Sequence, residues 1–422
     1  MTRRAKDSAV AETKATRVSA NRVHHCLPLY FLSGDDAHSF RTSPRRMPLI
    51  LRRRRFALGA LAFVISSASL ASCSRPASAA SEIGIGVALD PKRAGMQSIY
   101  NGVELAVTQL NGQRGSNLAL RMIKGAPDVS DPIRIADSLR SNPSVVGVVG
   151  HPESGTTLDA MGEYADTKNF GRNAVVAISP TGTSPALSGA SKWLFRVCPS
   201  DVQTSRTVAR YVLDSLHARR ASVLYRNDAY GKDWSKSFGE AYREGRGTVV
   251  ERDPYVAGVT PWDAYAAYVK LLRPDVVLFP GSTEDALLAL RAMKAVGISP
   301  TLVGGDATAG LEANAAEFPS ARYAAFFLAR RATTPEAKAF IVAYRQTYKE
   351  DPDQRAALAY DAAMLIGRAA LEVGPDRAKI RDYIESINGT TRPAVSGVAG
   401  PIAFDQNHDA VNKPVVIVQV GK

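Results

Sequence analysis

The chain has 422 residues, 45% hydrophobic and 22% charged, which is the balance of an ordinary soluble globular protein with room for two or more domains. Its formal net charge of +13 suggests a nucleic-acid partner until the charge is located. Residues 1–73 hold 13 Lys and Arg against 4 Asp and Glu, and the remaining 349 residues carry a net of only +4, so a nucleic-acid partner is not expected.

Residues 1–46 are polar, basic and without period, and read as a disordered extension or as an upstream mis-start. A complete export signal begins at Met47 and runs to Ser72. It has a basic n-region at Arg52 to Arg55, an apolar stretch over 56–65 and small residues over 66–72. That apolar stretch is too short for a membrane span of about 20 residues. Leu70-Ala71-Ser72-Cys73 resembles the lipobox of bacterial lipoproteins, in which the Cys is lipid-modified and begins the mature chain. The alternative is cleavage near Ala77-Ser78-Ala79, which releases a soluble protein. Residues 73–82 read as a tether. Of Cys26, Cys73 and Cys198, only Cys198 falls in the expected fold, so no disulfide is expected there and Cys198 reads as a small buried residue.

A first buried strand is predicted over 83–89. Its Gly84 and Gly86 lack the third glycine and the immediate helix of a dinucleotide fingerprint. Helical spacing over 98–110 stops at Asn111-Gly112, a strand follows over 118–123, and Asp131-Pro132 opens a second helix. The strands at 145–150 and 174–179 are the centre of the pattern. Each runs into a loop rich in hydroxyls: Ser154, Thr156 and Thr157 after the first, Thr181, Thr183 and Ser184 after the second. In open α/β sheets ligands sit beyond the carboxyl ends of strands, and a helix starting near Ser154 offers unpaired N–H groups to an anion. The same hydroxyls would also serve as helix caps and turn residues.

A second run has helices over 202–216, from about 229 to 245, over 261–272 and after 283. Its strands fall at 221–225, 248–251, 275–279, 301–303 and 324–328. Helices are then expected over 335–349, 356–372 and 376–388, with strands again at 402–404 and 415–420. Alternating strands and helices mean parallel sheets covered on both faces. Trp193 and Trp262 read as core residues.

The order of these features resembles the type I periplasmic binding proteins, in the leucine/isoleucine/valine-binding branch that serves ABC importers. The residues that carry the resemblance include Asn101-Gly102, 145–157, 178–187, Trp193 to Arg196, Tyr230-Gly231, Gly304-Gly305-Asp306, 359–362 and 400–405. It implies an α/β fold of two lobes, each a parallel sheet flanked by helices, joined by three crossovers. The expected lobes are 83–200 with 330–400, and 201–329 with 401–422. It further implies that Ser154 and Thr183 hold a ligand carboxylate, with the backbone of Thr181 and Gly182 beside it. Asp306 holds an ammonium where the family more often has Glu, and Tyr230 lines the cleft. Gly95 and Ser282 stand where this branch often has aromatic residues, which enlarges or polarises the pocket. His408 replaces a usual Gly and reads as a surface change.

No phosphate loop, nucleophile elbow or Cys/His metal spacing appears, so neither catalysis nor a metal or other cofactor is expected. His151 beside Ser154 could suggest acyl transfer, but residues three apart need the right geometry and an orienting third group. The expectation is therefore a monomeric, exported, lipid-anchored solute-binding protein at the periplasm or the outer face of the cytoplasmic membrane. It would pass an amino acid or similar small carboxylate to an ABC permease. The alternatives are an envelope lipoprotein of the same fold that regulates a partner protein, and a solute sensor.

Overall fold

The computed structural model describes residues 81–93, 95–113 and 118–422. The expected extension, the export signal and Cys73 lie outside them. The first run comprises β1 (Ser81–Ala88), α1 (Gln97–Asn111), β2 (Leu118–Lys124), α2 (Pro132–Arg140), β3 (Val145–Gly150), α3 (Ser154–Tyr164), β4 (Val176–Ser179) and β5 (Leu194–Arg196). Its strands form one parallel sheet in the order β2-β1-β3-β4-β5. α2 starts where the sequence places it, because the Asp131 carboxylate accepts the Ile133 N–H and Pro132 fills the first turn.

The second run comprises α4 (Asp201–Asp214), β6 (Arg220–Arg226), α5 (Ala229–Glu244), β7 (Thr248–Tyr255), α6 (Trp262–Leu272), β8 (Val276–Phe279), α7 (Thr283–Ala295), β9 (Thr301–Gly304) and β10 (Arg322–Ala325). Then come α8 (Pro335–Tyr348), α9 (Gln354–Val373), α10 (Arg377–Glu385), a hairpin of β11 (Val395–Gly397) and β12 (Gly400–Ile402), and finally β13 (Val416–Gln419). The second sheet has the order β13-β10-β9-β8-β6-β7, with β13 antiparallel to β10 and the other pairs parallel.

Each sheet is apolar on both faces. In β3, Val146 and Val149 pack with α1 and α9, while Val145 and Val148 pack with α2 and α3. In β8, Val277 and Phe279 belong to one core, and Val276 and Leu278 to the other. Burial on both faces is why these strands read as unbroken apolar runs rather than as alternations. α9 is buried nearly all round and approaches α1 so closely that a Cβ on Gly102 would stand 2.3 Å from the Ala356 carbonyl oxygen.

The chain passes between the lobes three times: from β5 to α4, from β10 towards α8, and from β12 to β13. The second passage comes earlier in sequence than expected and the third later. Phe326 and Phe327 already pack in the first core, ahead of 330, and Ile402, Phe404 and Ala410 still pack there, beyond 400. The same shift explains why the strand expected at 324–328 is Arg322–Ala325. β7 extends past the expected 251 because it is an edge strand paired only with β6, where Pro254 costs no ladder hydrogen bond. β5 has too few residues to show a period and exists through its pairing with β4.

His408 is not a surface residue. It is 7% exposed, lies face to face with Phe195 at 4.1 Å, and adopts φ of 63°. That left-handed backbone accounts for the usual glycine, and the ring stack offsets its cost in a histidine. Cys198 is buried and free as expected, its Sγ donating to the Gly182 carbonyl at 3.3 Å. Trp193 is buried in the first core, and Trp262 is half-buried against Tyr255 and Phe279.

Candidate functional site

A cavity of about 830 Å³ has walls from both lobes, among them Ser154, Thr181, Tyr230, Ser282 and Asp306. From the first lobe comes the amino end of α3. Its N-cap residue, Glu153, makes no side-chain capping bond, so the first-turn N–H groups keep their unpaired donors. The Ser154 Oγ accepts the Ser184 N–H at 3.1 Å, which leaves its own proton for another acceptor. The Thr181 hydroxyl instead donates to the Pro152 carbonyl at 2.6 Å, which ties the two loops together.

From the second lobe comes Asp306, immediately after β9. It is 6% exposed and accepts a hydrogen bond from the Tyr230 hydroxyl at 3.1 Å. Gly305 makes this contact possible, since a Cβ there would stand 2.0 Å from the Tyr230 hydroxyl. Burial pushes the Asp306 pKa up to about 6, against the lowering effects of the Tyr230 hydrogen bond and the Arg355 charge. A buried, hydrogen-bonded carboxylate has the chemistry to accept charge-assisted hydrogen bonds from a cationic group.

Two expected residues lie behind the wall. The Gly182 N–H donates to Ser179 Oγ at 2.9 Å and its carbonyl accepts Cys198, so its backbone is spent inside the loop. Thr183 is fully buried, and its carbonyl accepts the Asp201 N–H and Arg196 Nη1. Ser282 lines the cavity, but its hydroxyl caps α7, accepting the Asp285 N–H at 3.2 Å and donating to the Asp285 carboxylate at 2.8 Å. Its Ser-x-x-Asp spacing carries that capping signal in the sequence. His151 is 2% exposed and its Nε2 engages the Tyr164 hydroxyl at 3.0 Å, so it is committed away from Ser154.

The structure adds residues that sequence reasoning missed. Gln354 Nε2 donates to the Asp306 carbonyl at 2.8 Å, while its Oε1 accepts the Phe326 N–H at 2.9 Å. One side chain thus ties the second crossover to Asp306. Ser184 Oγ donates to Asp233 of α5, joining the loop beside Ser154 to the other lobe. Arg196 is buried where the first and third crossovers run side by side, and holds Ser184, Ser188 and Asp409. Asp201 is also fully buried. Among the described residues, Thr204 Oγ1 and Trp234 Nε1 have no hydrogen-bond partner, and the Asp201 carboxylate has only the nearby Thr183 hydroxyl. Burial first, and then the charge of Asp306, push the Asp201 pKa well up. In the sequence Asp201 reads only as a first-turn acid after the cap Ser200, and nothing there marks its burial.

The model of the family described as periplasmic binding protein matches residues 90–422. The chain belongs to the periplasmic binding protein family. This periplasmic binding protein is 23% identical over 314 residues to the Leu/Ile/Val-binding protein of Escherichia coli K12, covering 74% of this chain and 82% of the relative. Among solved structures it is similar to the branched-chain amino acid transporter substrate binding protein LivJ of Streptococcus pneumoniae in complex with isoleucine. That match has a TM-score of 0.72 and 26% identity, over 81% of this chain and 97% of the other. A substrate-binding protein of an ABC transporter from Desulfitobacterium hafniense, in complex with Leu, matches with a TM-score of 0.68 and 25% identity, over 80% and 96%. No helix among the described residues of this periplasmic binding protein is long and apolar enough to cross a membrane.

Proposed function

We propose that this chain is the exported solute-binding component of an ABC importer, which captures an amino acid or a similar small carboxylate between its lobes and delivers it to a permease. The observation that carries this reading is the pairing, across one cavity, of an uncapped helix end with a buried, tyrosine-bound carboxylate. An amino acid presents a carboxylate to the first and an ammonium to the second. Ligand contact with both lobes then favours the closed state by its differential affinity. The complexes of relatives with isoleucine and leucine support the amino-acid class. The site binds and releases without chemistry: Ser154 has no base beside it, because His151 is held by Tyr164. Lipidation at Cys73 would place the protein, as a monomer, at the outer face of the cytoplasmic membrane or in the periplasm.

Asp306→Ala, followed by calorimetry with the bound amino acid, tests the assignment. Loss of one partner of a buried charge pair costs about 2–5 kcal/mol of binding free energy. An unchanged affinity removes Asp306 from the site. A folded chain that binds no solute at all would instead favour a partner-regulating role.

A further inference from the structure

The charges lining the cavity are mostly spent on one another. Arg93 pairs with Glu153, Arg226 with Asp228, and Arg330 with Glu312 at 3.3 Å. Asp351 pairs with Arg345, and Asp353 caps α9 by accepting the Ala356 N–H. Besides Asp306 and Asp353, two lining charges have no ion pair among the described residues, the Glu284 carboxylate and the Arg355 guanidinium. The latter, half-buried at the start of α9, makes a single hydrogen bond, to the Gly95 carbonyl at 3.3 Å. Its Nη1 lies 3.2 Å from where a Cβ on Gly95 would stand, so it lies against the space a side chain at 95 would enter. Its neighbour Gln354 is bonded to the Asp306 carbonyl, which sets Arg355 at a defined place relative to the ammonium receptor. Gly95 and Ser282 line the same cavity, and Arg355, whose charge also reaches Asp306, is the lining arginine that no carboxylate pairs with among the described residues.

We infer that the cavity selects an amino acid bearing a second anionic group at the end of its side chain, as glutamate does, and that Arg355 is the residue that recognises this group. The inference rests on the amino-acid reading of the site. Asp306 takes the ammonium, the amino end of α3 the main-chain carboxylate, and the Arg355 fork the distal one. A hydrocarbon side chain would leave the Arg355 donors without an anion, and glutamine would offer them a neutral oxygen only.

The test is calorimetry on the full chain, stripped of carried ligand by refolding, with glutamate, aspartate, glutamine and leucine. Wild type is expected to bind glutamate or aspartate at least roughly tenfold tighter than glutamine or leucine, the scale of one charge-assisted pair. In Arg355→Ala that preference disappears through weakened binding of the acidic ligands alone, and Arg355→Lys retains part of it. Wild type that prefers leucine or glutamine, or an Arg355→Ala variant that weakens all four ligands alike, overturns the inference and leaves the amino-acid reading standing. A folded wild type that binds none of the four overturns the inference, and binding of no solute in a wider panel of amino acids and small carboxylates overturns the amino-acid reading as well. Arg355→Gln, which keeps the stem and the polarity, replaces the Ala variant if the latter fails to fold.

Discussion

Asp306→Asn should stabilise the empty protein while it destroys the ammonium receptor. Burial raises the Asp306 pKa from 3.8 to about 6, so the folded state resists its ionisation more than the unfolded chain does. Below about pH 4 the group is protonated in both states and the cost is absent. Between about 4 and 6 the folded state binds more protons than the unfolded one, and stability falls as pH rises. Above about 6 the whole cost is present, and a shift of roughly two units amounts to about 3 kcal/mol. Asparagine keeps an oxygen for the Tyr230 hydroxyl and cannot ionise. At an unfolding entropy of about 2.1 cal/mol/K per residue over roughly 340 residues, that gain corresponds to about 4 °C. The assay is a pair of thermal melts of the ligand-free wild type and variant, at pH 4 and pH 7.5. The variant should gain on wild type between the two pH values. A difference between the proteins that does not change with pH, or a variant that loses ground at pH 7.5, would refute the argument that Asp306 is held ionised at a cost for the sake of binding.

Affinity for a zwitterionic ligand should be flat above about pH 6 and fall by about tenfold per unit below it, because the ammonium needs the ionised Asp306; calorimetry across pH 4.5–8 reads this directly. Gly305→Ala places a methyl group on the Tyr230 hydroxyl, so it should cost about 1–3 kcal/mol of stability by overpacking and weaken ligand binding by displacing Tyr230, as urea melts and calorimetry would show. Ser282→Ala should cost about 1 kcal/mol through the lost α7 cap and leave ligand affinity unchanged, which separates a capping role from a binding one.

Most of the fold was legible because periodicity and caps are local. The runs at 145–150 and 276–279 are apolar on both faces, and Asp131-Pro132 announces α2. What the sequence hid depends on distant partners. β5 exists only beside β4, and Phe326 could not be assigned to a lobe without knowing which core receives it. Of the residues that line the cavity, Ser154 was singled out from the loop that follows a strand, and Tyr230 and Asp306 through the family resemblance. Thr183 and Gly182 were expected at the ligand and lie behind the wall, since a loop pattern does not say which way each backbone group turns. Ser282 carries a cap signal and a site position at once, and its hydrogen bonds serve the cap. His408 was misplaced because a replaced glycine suggests an exposed turn, whereas its ring fills space over Phe195. Gln354, Asp233 and Asp201 have no local signature, and their roles come from the meeting of two lobes.

If one cavity reads both charged ends of an amino acid, blocking either end must abolish binding. The most direct measurement is a calorimetric titration of the refolded, ligand-free chain with its preferred amino acid and with the same molecule blocked at either end, as the α-amide and as the N-acetyl derivative. The free amino acid is expected to bind one-to-one, with severe loss for each blocked form. Equal binding of the free and blocked molecules, or none by any of them to a folded chain, would contradict this reading of the cavity.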